Sequence, residues 1–134
     1  MSTHTLSFAK IDILQPDIAE VVVNEGVEMN LEMVDEYHRF LLANLKAPFS
    51  LLINKINSYS YDFQAQINLA VLKEINVMAV VTYSNITRHS TQMLSTSVPR
   101  KLDWNLQIFD DKNSALVWLE AMQTKMKQGI TEFL

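Results

Sequence analysis

The stretch Pro48-Phe49-Ser50-Leu51-Leu52-Ile53-Asn54 is followed by Lys55-Ile56-Asn57-Ser58-Tyr59-Ser60. Next come Tyr61-Asp62-Phe63-Gln64-Ala65-Gln66-Ile67-Asn68-Leu69-Ala70-Val71-Leu72-Lys73-Glu74-Ile75-Asn76 and then Val77-Met78-Ala79-Val80-Val81-Thr82-Tyr83-Ser84. This order reads as strand, loop, helix and strand, a βαβ unit. Both strands are apolar on successive residues, so both of their faces need cover. That pattern belongs to a parallel sheet with helices on each side.

Upstream, 5–14 reads as a strand. Leu6 and Phe8 alternate with polar neighbours, then Ile11 and Ile13 do so in the opposite phase. A bulge near Ala9-Lys10, or a break into two short strands, accounts for the slip. Gln15-Pro16-Asp17 signals a turn, and 18–24 is a second strand joined to the first as an antiparallel hairpin. Gly26 suits a positive φ in the connector that follows. Helix one spans 31–46, with Asn30 as N-cap, Leu31, Val34, His38, Leu41 and Leu45 on one face, and Pro48 as its stop.

Helix two is expected over 62–74, burying Phe63, Ile67, Ala70 and Val71. The next strand is 77–83. Helix three spans 85–97 on a thin stripe of Ile86, Met93 and Leu94, and Pro99 ends it. The last strand, 104–109, carries Leu106 and Ile108 on one face. Asp110 or Asp111 caps helix four, whose stripe is Ala115, Leu119, Met122 and Met126. Gly129 marks its expected end.

With 134 residues, about half of them apolar, and only two glycines and three prolines, the sequence describes one ordered domain over 1–134. It has no cysteine, hence no disulfide and no thiol nucleophile. The net charge is −4 and no basic cluster exceeds Arg100-Lys101, which argues against nucleic acid as a partner. No apolar run approaches the roughly 20 residues that cross a bilayer. The N-terminus has no signal-peptide pattern. These features place the expected protein in the cytoplasm.

Few residues suggest chemistry. His4, His38 and His89 have no partners at metal-ligand spacing, so no metal or other cofactor is expected. No phosphate-cradling loop, nucleophile elbow or other catalytic motif occurs, and the chain reads as non-enzymatic. Ser58 and Ser60 precede helix two and are candidate phospho-acceptors; the plain alternative is an N-cap at Ser60 or Asp62. Ser84, Asn85, Arg88 and His89 open helix three after a parallel strand, where α/β sheets bind ligands, and form a candidate anion or ligand site. The alternative is an ordinary solvated first turn. Met29, Met33, Met78, Met93, Met122 and Met126 could line an adaptable apolar pocket or simply fill a core. Met126, Ile130, Phe133 and Leu134 extend the apolar stripe of helix four and form a candidate homodimer face; the alternative is that this tail folds back over its own sheet.

The strand 49–54 leading through a serine-bearing loop into helix two, the strand ending Val80-Val81-Thr82-Tyr83-Ser84, and the passage from Ile108-Phe109-Asp110-Asp111 into Ala115-Leu116-Val117-Trp118-Leu119 together resemble the SpoIIAA-like superfamily. That group holds the STAS domains and the Sec14 or CRAL-TRIO lipid-binding domains. The resemblance implies an α/β fold with a mixed sheet of about five strands and four helices, in the order β-β-α-β-α-β-α-β-α. It implies a STAS-like regulatory module that binds a protein partner or itself, with Ser60 nearest the family's phosphorylated position. Ser60 lacks the preceding Asp and is followed by bulky Tyr61. The Sec14 side of the resemblance implies instead a carrier of a small apolar ligand.

Overall fold

Successive side chains on a strand point to opposite faces, and that alternation divides this protein into two cores. The computed structural model describes residues 2–133, with side chains described through residue 129. The elements in order are β1 (Ser2–Thr5), β2 (Ala9–Gln15), β3 (Ile18–Val23), β4 (Glu28–Met29), α1 (Leu31–Asn44), β5 (Phe49–Asn54), β6 (Ser60–Tyr61), α2 (Phe63–Asn68), β7 (Ile75–Val81), α3 (Asn85–Ser97), β8 (Leu106–Phe109) and α4 (Lys112–Phe133). Six strands form one mixed sheet in the order β1-β2-β3-β5-β7-β8. β1, β2 and β3 pair antiparallel, and β3, β5, β7 and β8 pair parallel.

The phase slip near Ala9 is the break between β1 and β2, closed by a turn in which Leu6 N–H donates to the Ala9 carbonyl at 2.8 Å. This break adds one strand to the five expected. β4 and β6, two residues each, form a separate parallel ladder beside the sheet. Gly26 has the positive φ expected of it, at 80°.

One face of the sheet carries Phe49, Leu51, Met78, Val21 and Ala19, and α1 lies on it through Val34, Tyr37 and Leu41. The opposite face carries Ile18, Leu52, Val77, Ala79 and Val81, and α4 lies on it through Ala115 and Leu119. α4 is also pinned by a buried polar node. Gln123 Nε2 donates to Asp17 Oδ2 at 2.8 Å and to the Pro48 carbonyl at 3.0 Å. Its Oε1 accepts from Ser50 Oγ at 2.5 Å and from Asn76 Nδ2 at 2.9 Å. Lys127 pairs with Asp17 at 3.0 Å. Nearer the helix start, Glu20 accepts from Asn54 Nδ2 at 3.0 Å and pairs with Lys112 at 2.7 Å. Burial of such groups is tolerable only because each is answered.

Local chemistry sets the helix starts. Asn30 Oδ1 accepts from Met33 N–H at 3.0 Å, Ser84 Oγ from Thr87 N–H at 3.1 Å, and Asp111 Oδ1 from Ser114 N–H at 2.7 Å. Three expectations about helices need correction. α4 runs through Gly129 to Phe133; glycine there costs helix propensity without breaking the helix, and no left-handed turn is present. α2 stops at Asn68 rather than Glu74, and within it Ala65 is buried while Phe63 is 70% exposed. α3 has its expected bounds, but Ile86 and Met93 face solvent and its only buried residue is Thr91.

The two-core arrangement makes a quantitative expectation. Leu119 is fully buried against β5 and β7, whereas Val117 on the same helix is 70% exposed. Leu119→Ala should lower the unfolding free energy by about 2–5 kcal/mol. Val117→Ala should change it by no more than about 0.5 kcal/mol. Urea denaturation of both variants checks this, and equal losses would contradict the burial of this face of α4.

Candidate functional site

The face opposite α4 is incompletely filled. Where α2 stops short, an apolar cavity of about 40 Å³ remains between the sheet and its helices. Val21, Ile53, Met78, Val80 and Leu106 form its sheet side. Tyr37 of α1, Thr91 of α3, Leu69 and Ala70 after α2, and Trp104 before β8 close it from the other side.

The truncation of α2 has a structural cause. Leu69 leaves the helix in an extended conformation, and Ala70 adopts φ 57°, a left-handed backbone in a residue that is not glycine. Such a conformation costs on the order of 1–2 kcal/mol and persists only where the surroundings enforce it. Three side chains do so. Ala70 N–H donates to His38 Nε2 at 3.0 Å. Trp104 Nε1 donates to the Leu69 carbonyl at 2.8 Å, and Arg100 Nε to the Gln66 carbonyl at 2.9 Å. The Arg100 guanidinium lies 3.5 Å from the centroid of the Trp104 ring, joining two of the three.

His38 must therefore be neutral at Nε2 to accept the Ala70 bond, which puts its proton on Nδ1. Burial lowers its pKa below the ordinary 6.5, opposed by the Asp35 carboxylate. Tyr37 is buried, and its hydroxyl has no hydrogen-bond partner among the described residues. Burial, with a smaller contribution from Tyr61, raises its phenol well above its ordinary pKa of 10.0.

At the edge of the cavity stand Tyr59 and Tyr61, their rings edge-to-face with centroids 5.4 Å apart and Tyr61 Oη donating to Tyr59 Oη at 3.2 Å. Lys55 Nζ sits 5.5 Å and 5.4 Å from the two ring centroids. Outside them an open groove of about 350 Å³ runs between the β6 segment and α3, bordered by Ser58, Ser60, Thr87 and Ser90. Lys55, Tyr59 and Tyr61 border both the cavity and the groove.

The residues expected to matter fall around this arrangement unevenly. Ser58 and Ser60 are exposed at the groove, and the helix cap is Asp62, which accepts from Ala65 N–H at 2.9 Å. Ser84, Asn85, Arg88 and His89 occupy the start of α3; Ser84 caps the helix and Arg88 pairs with Asp110 at 3.1 Å. Of the six methionines, Met29 and Met78 line the cavity, Met122 packs on the α4 face and Met93 is exposed. Met126 borders a separate cleft with Pro16 and Pro48, and the side chains of Ile130, Phe133 and Leu134 lie outside the described residues. Among the described residues no group of three His, Cys, Asp or Glu could hold a metal ion, and no helix is long and apolar enough to cross a membrane.

Tyr37, Lys55, Tyr59, Tyr61 and Trp104 were not singled out by sequence. The alternating Tyr59-Ser60-Tyr61 beside Lys55 is the one local signal that could have pointed to them, because residues i and i+2 of an extended segment share a face.

Comparison with known protein families and with curated protein sequences finds no match. The structure is similar to the crystal structure of an uncharacterized protein of the DUF3478 family with a SpoIIAA-like fold from Shewanella loihica. The two share 20% sequence identity over 89% of this chain and 98% of the other, with a TM-score of 0.55. The fold of this chain is SpoIIAA-like.

The clamp on Ala70 makes folding sensitive to acid. The folded protein holds His38 neutral and below its ordinary pKa, so the unfolded chain takes up the proton more readily. Stability contributed by neutral His38 is complete above about pH 6.5 and is lost as pH falls below it. Melting temperature should therefore fall between pH 7 and pH 5, and His38→Gln should flatten the slope in that window. An unchanged slope in the variant would remove His38 from this role.

Proposed function

We propose that this protein binds a small, largely apolar molecule in the cavity beneath α1, α2 and α3. The observation that carries this reading is the Tyr37 hydroxyl, buried beside an apolar cavity with no hydrogen-bond partner among the described residues. A buried hydroxyl left without a partner costs about 1–3 kcal/mol. A ligand bearing one acceptor or donor would meet it. An apolar enclosure with few polar groups is the usual form of a small-molecule site.

At about 40 Å³ the cavity has room for only a few waters, each needing at least about 10–15 Å³. A ligand of any size requires a wall to move. α3 is the wall suited to it, because Thr91 is its one buried residue while Ile86 and Met93 lie in solvent. A helix holding so little buried apolar area opens at low cost. The SpoIIAA-like fold accommodates this reading without requiring it.

A second reading, a STAS-like module controlled by phosphorylation, draws on the exposure of Ser58 and Ser60 beside the groove that Lys55 borders. A phosphate there would add a dianion next to an ammonium. Mass spectrometry of the protein from its native cells tests it, and unmodified Ser58 and Ser60 in every growth condition would sink it.

The cavity reading predicts opposite effects of one substitution. Tyr37→Phe removes the orphan hydroxyl and should raise the unfolding free energy by about 1 kcal/mol. The same change should weaken binding of 1-octanol about threefold to tenfold, the worth of one neutral hydrogen bond. Displacement of the neutral fluorophore N-phenyl-1-naphthylamine by octanol measures the second effect. Failure of the wild-type protein to bind either compound would end this reading.

A further inference from the structure

We propose that the molecule held in the cavity is an amphiphile with a carboxylate head, and that the Lys55 ammonium receives that head at the cavity mouth. This rests on the apolar-ligand reading and adds the chemical class of the ligand. Lys55 is the one formally charged residue bordering either the cavity or the groove, and it borders both. Its place is fixed, since it directly follows β5 and its N–H donates to the Val81 carbonyl at 3.0 Å.

Among the described residues the ammonium has no acidic partner. The ion pairs among the described residues are Arg88–Asp110, Lys112–Glu20 and Lys127–Asp17. The Glu25 carboxylate, on the connector near Ser58, is engaged with the Ser58 N–H at 3.1 Å. What Lys55 has is the faces of Tyr59 and Tyr61, which attract a cation without neutralising it. The ammonium of a half-buried lysine with no carboxylate partner among the described residues is an incomplete ion pair, and an anion delivered to it gains a charge-assisted hydrogen bond. The chain as a whole carries −4, so this positive spot is local and not a general attraction for anions.

Polarity is graded along one path. Apolar Ile53, Met78 and Val80 line the cavity alone, the paired phenols and Lys55 border both cavity and groove, and the hydroxyls of Ser58, Ser60 and Thr87 border the groove alone. An amphiphile with its tail inward and head outward matches that gradient along its length. A single ammonium with no guanidinium bordering the site balances a monoanion, which selects carboxylate over phosphate.

The test compares octanoate, 1-octanol and octyl phosphate as displacers of N-phenyl-1-naphthylamine at pH 8 and low salt. The wild-type protein should prefer octanoate over octanol about tenfold. Lys55→Met should bring that ratio to about one, and Lys55→Arg should restore most of it. A ratio near one in the wild-type protein, with octanol still binding, overturns the assignment of the head group and leaves the apolar site standing. So does a ratio that Lys55→Met leaves intact. Octyl phosphate displacing more strongly than octanoate overturns the choice of carboxylate. If none of the three compounds displaces the fluorophore and the fluorophore itself does not bind, both readings fall together.

Discussion

The parallel pair β5–β7 is apolar on both faces, and the rest of the structure answers that constraint. Leu52, Val77, Ala79 and Val81 on one side and Phe49, Leu51 and Met78 on the other must all leave water. The hydrophobic gain is on the order of 25 cal/mol per Å² of apolar surface removed, so neither face can be left open. The chain meets the two demands differently. One long helix, α4, covers its face alone and is held by the Gln123 node. The other face receives α1, the short α2 and the weakly buried α3. Three pieces cover less tightly than one, and the cavity lies at their junction.

That division explains what sequence could show. Strands β3, β5 and β7 and helices α1 and α4 were legible because long periodic runs and capping residues agree with the final packing, and α3 was placed by its cap and by Pro99. Asn30, Ser84 and Asp111 cap the helices they precede. The end of α2 was not legible. Leu69-Ala70-Val71-Leu72-Lys73-Glu74 is a strong helix-forming run, and nothing local stops it. His38, Arg100 and Trp104 stop it, from 32 to 35 residues away in sequence. Tertiary bonds overrode propensity at the place where the cavity begins. For the same reason Tyr37 could be read as a helix residue but not as a cavity wall.

The stripe on α3 shows a different limit. Ile86 and Met93 recur at helical spacing, and periodicity locates an apolar face without saying what it meets. Here it meets solvent, while a threonine points inward. A helix whose own pattern and burial disagree is poorly committed to its position, and the consequence lies in dynamics rather than in the folded contacts.

Unsatisfied groups are unevenly divided between the two faces. Under α4 the buried Ser50, Asn54, Glu20 and Gln123 all have partners. On the other face lie the left-handed Ala70 and two groups without a partner among the described residues, the Tyr37 hydroxyl at the cavity and Nη2 of the Arg100 stacked on Trp104. The remaining orphan, Asp12 Oδ1, is on β2 directly across from Glu20, on the α4 side of the sheet. Each such feature is a cost that a domain optimised only for stability would remove, and removal is chemically simple: phenylalanine for Tyr37, glycine for Ala70. Costs of this kind concentrate where a structure must also accept something from outside. Two of the three orphan atoms and the left-handed residue lie on the loosely covered face, which is the distribution that the proposed binding in the cavity calls for.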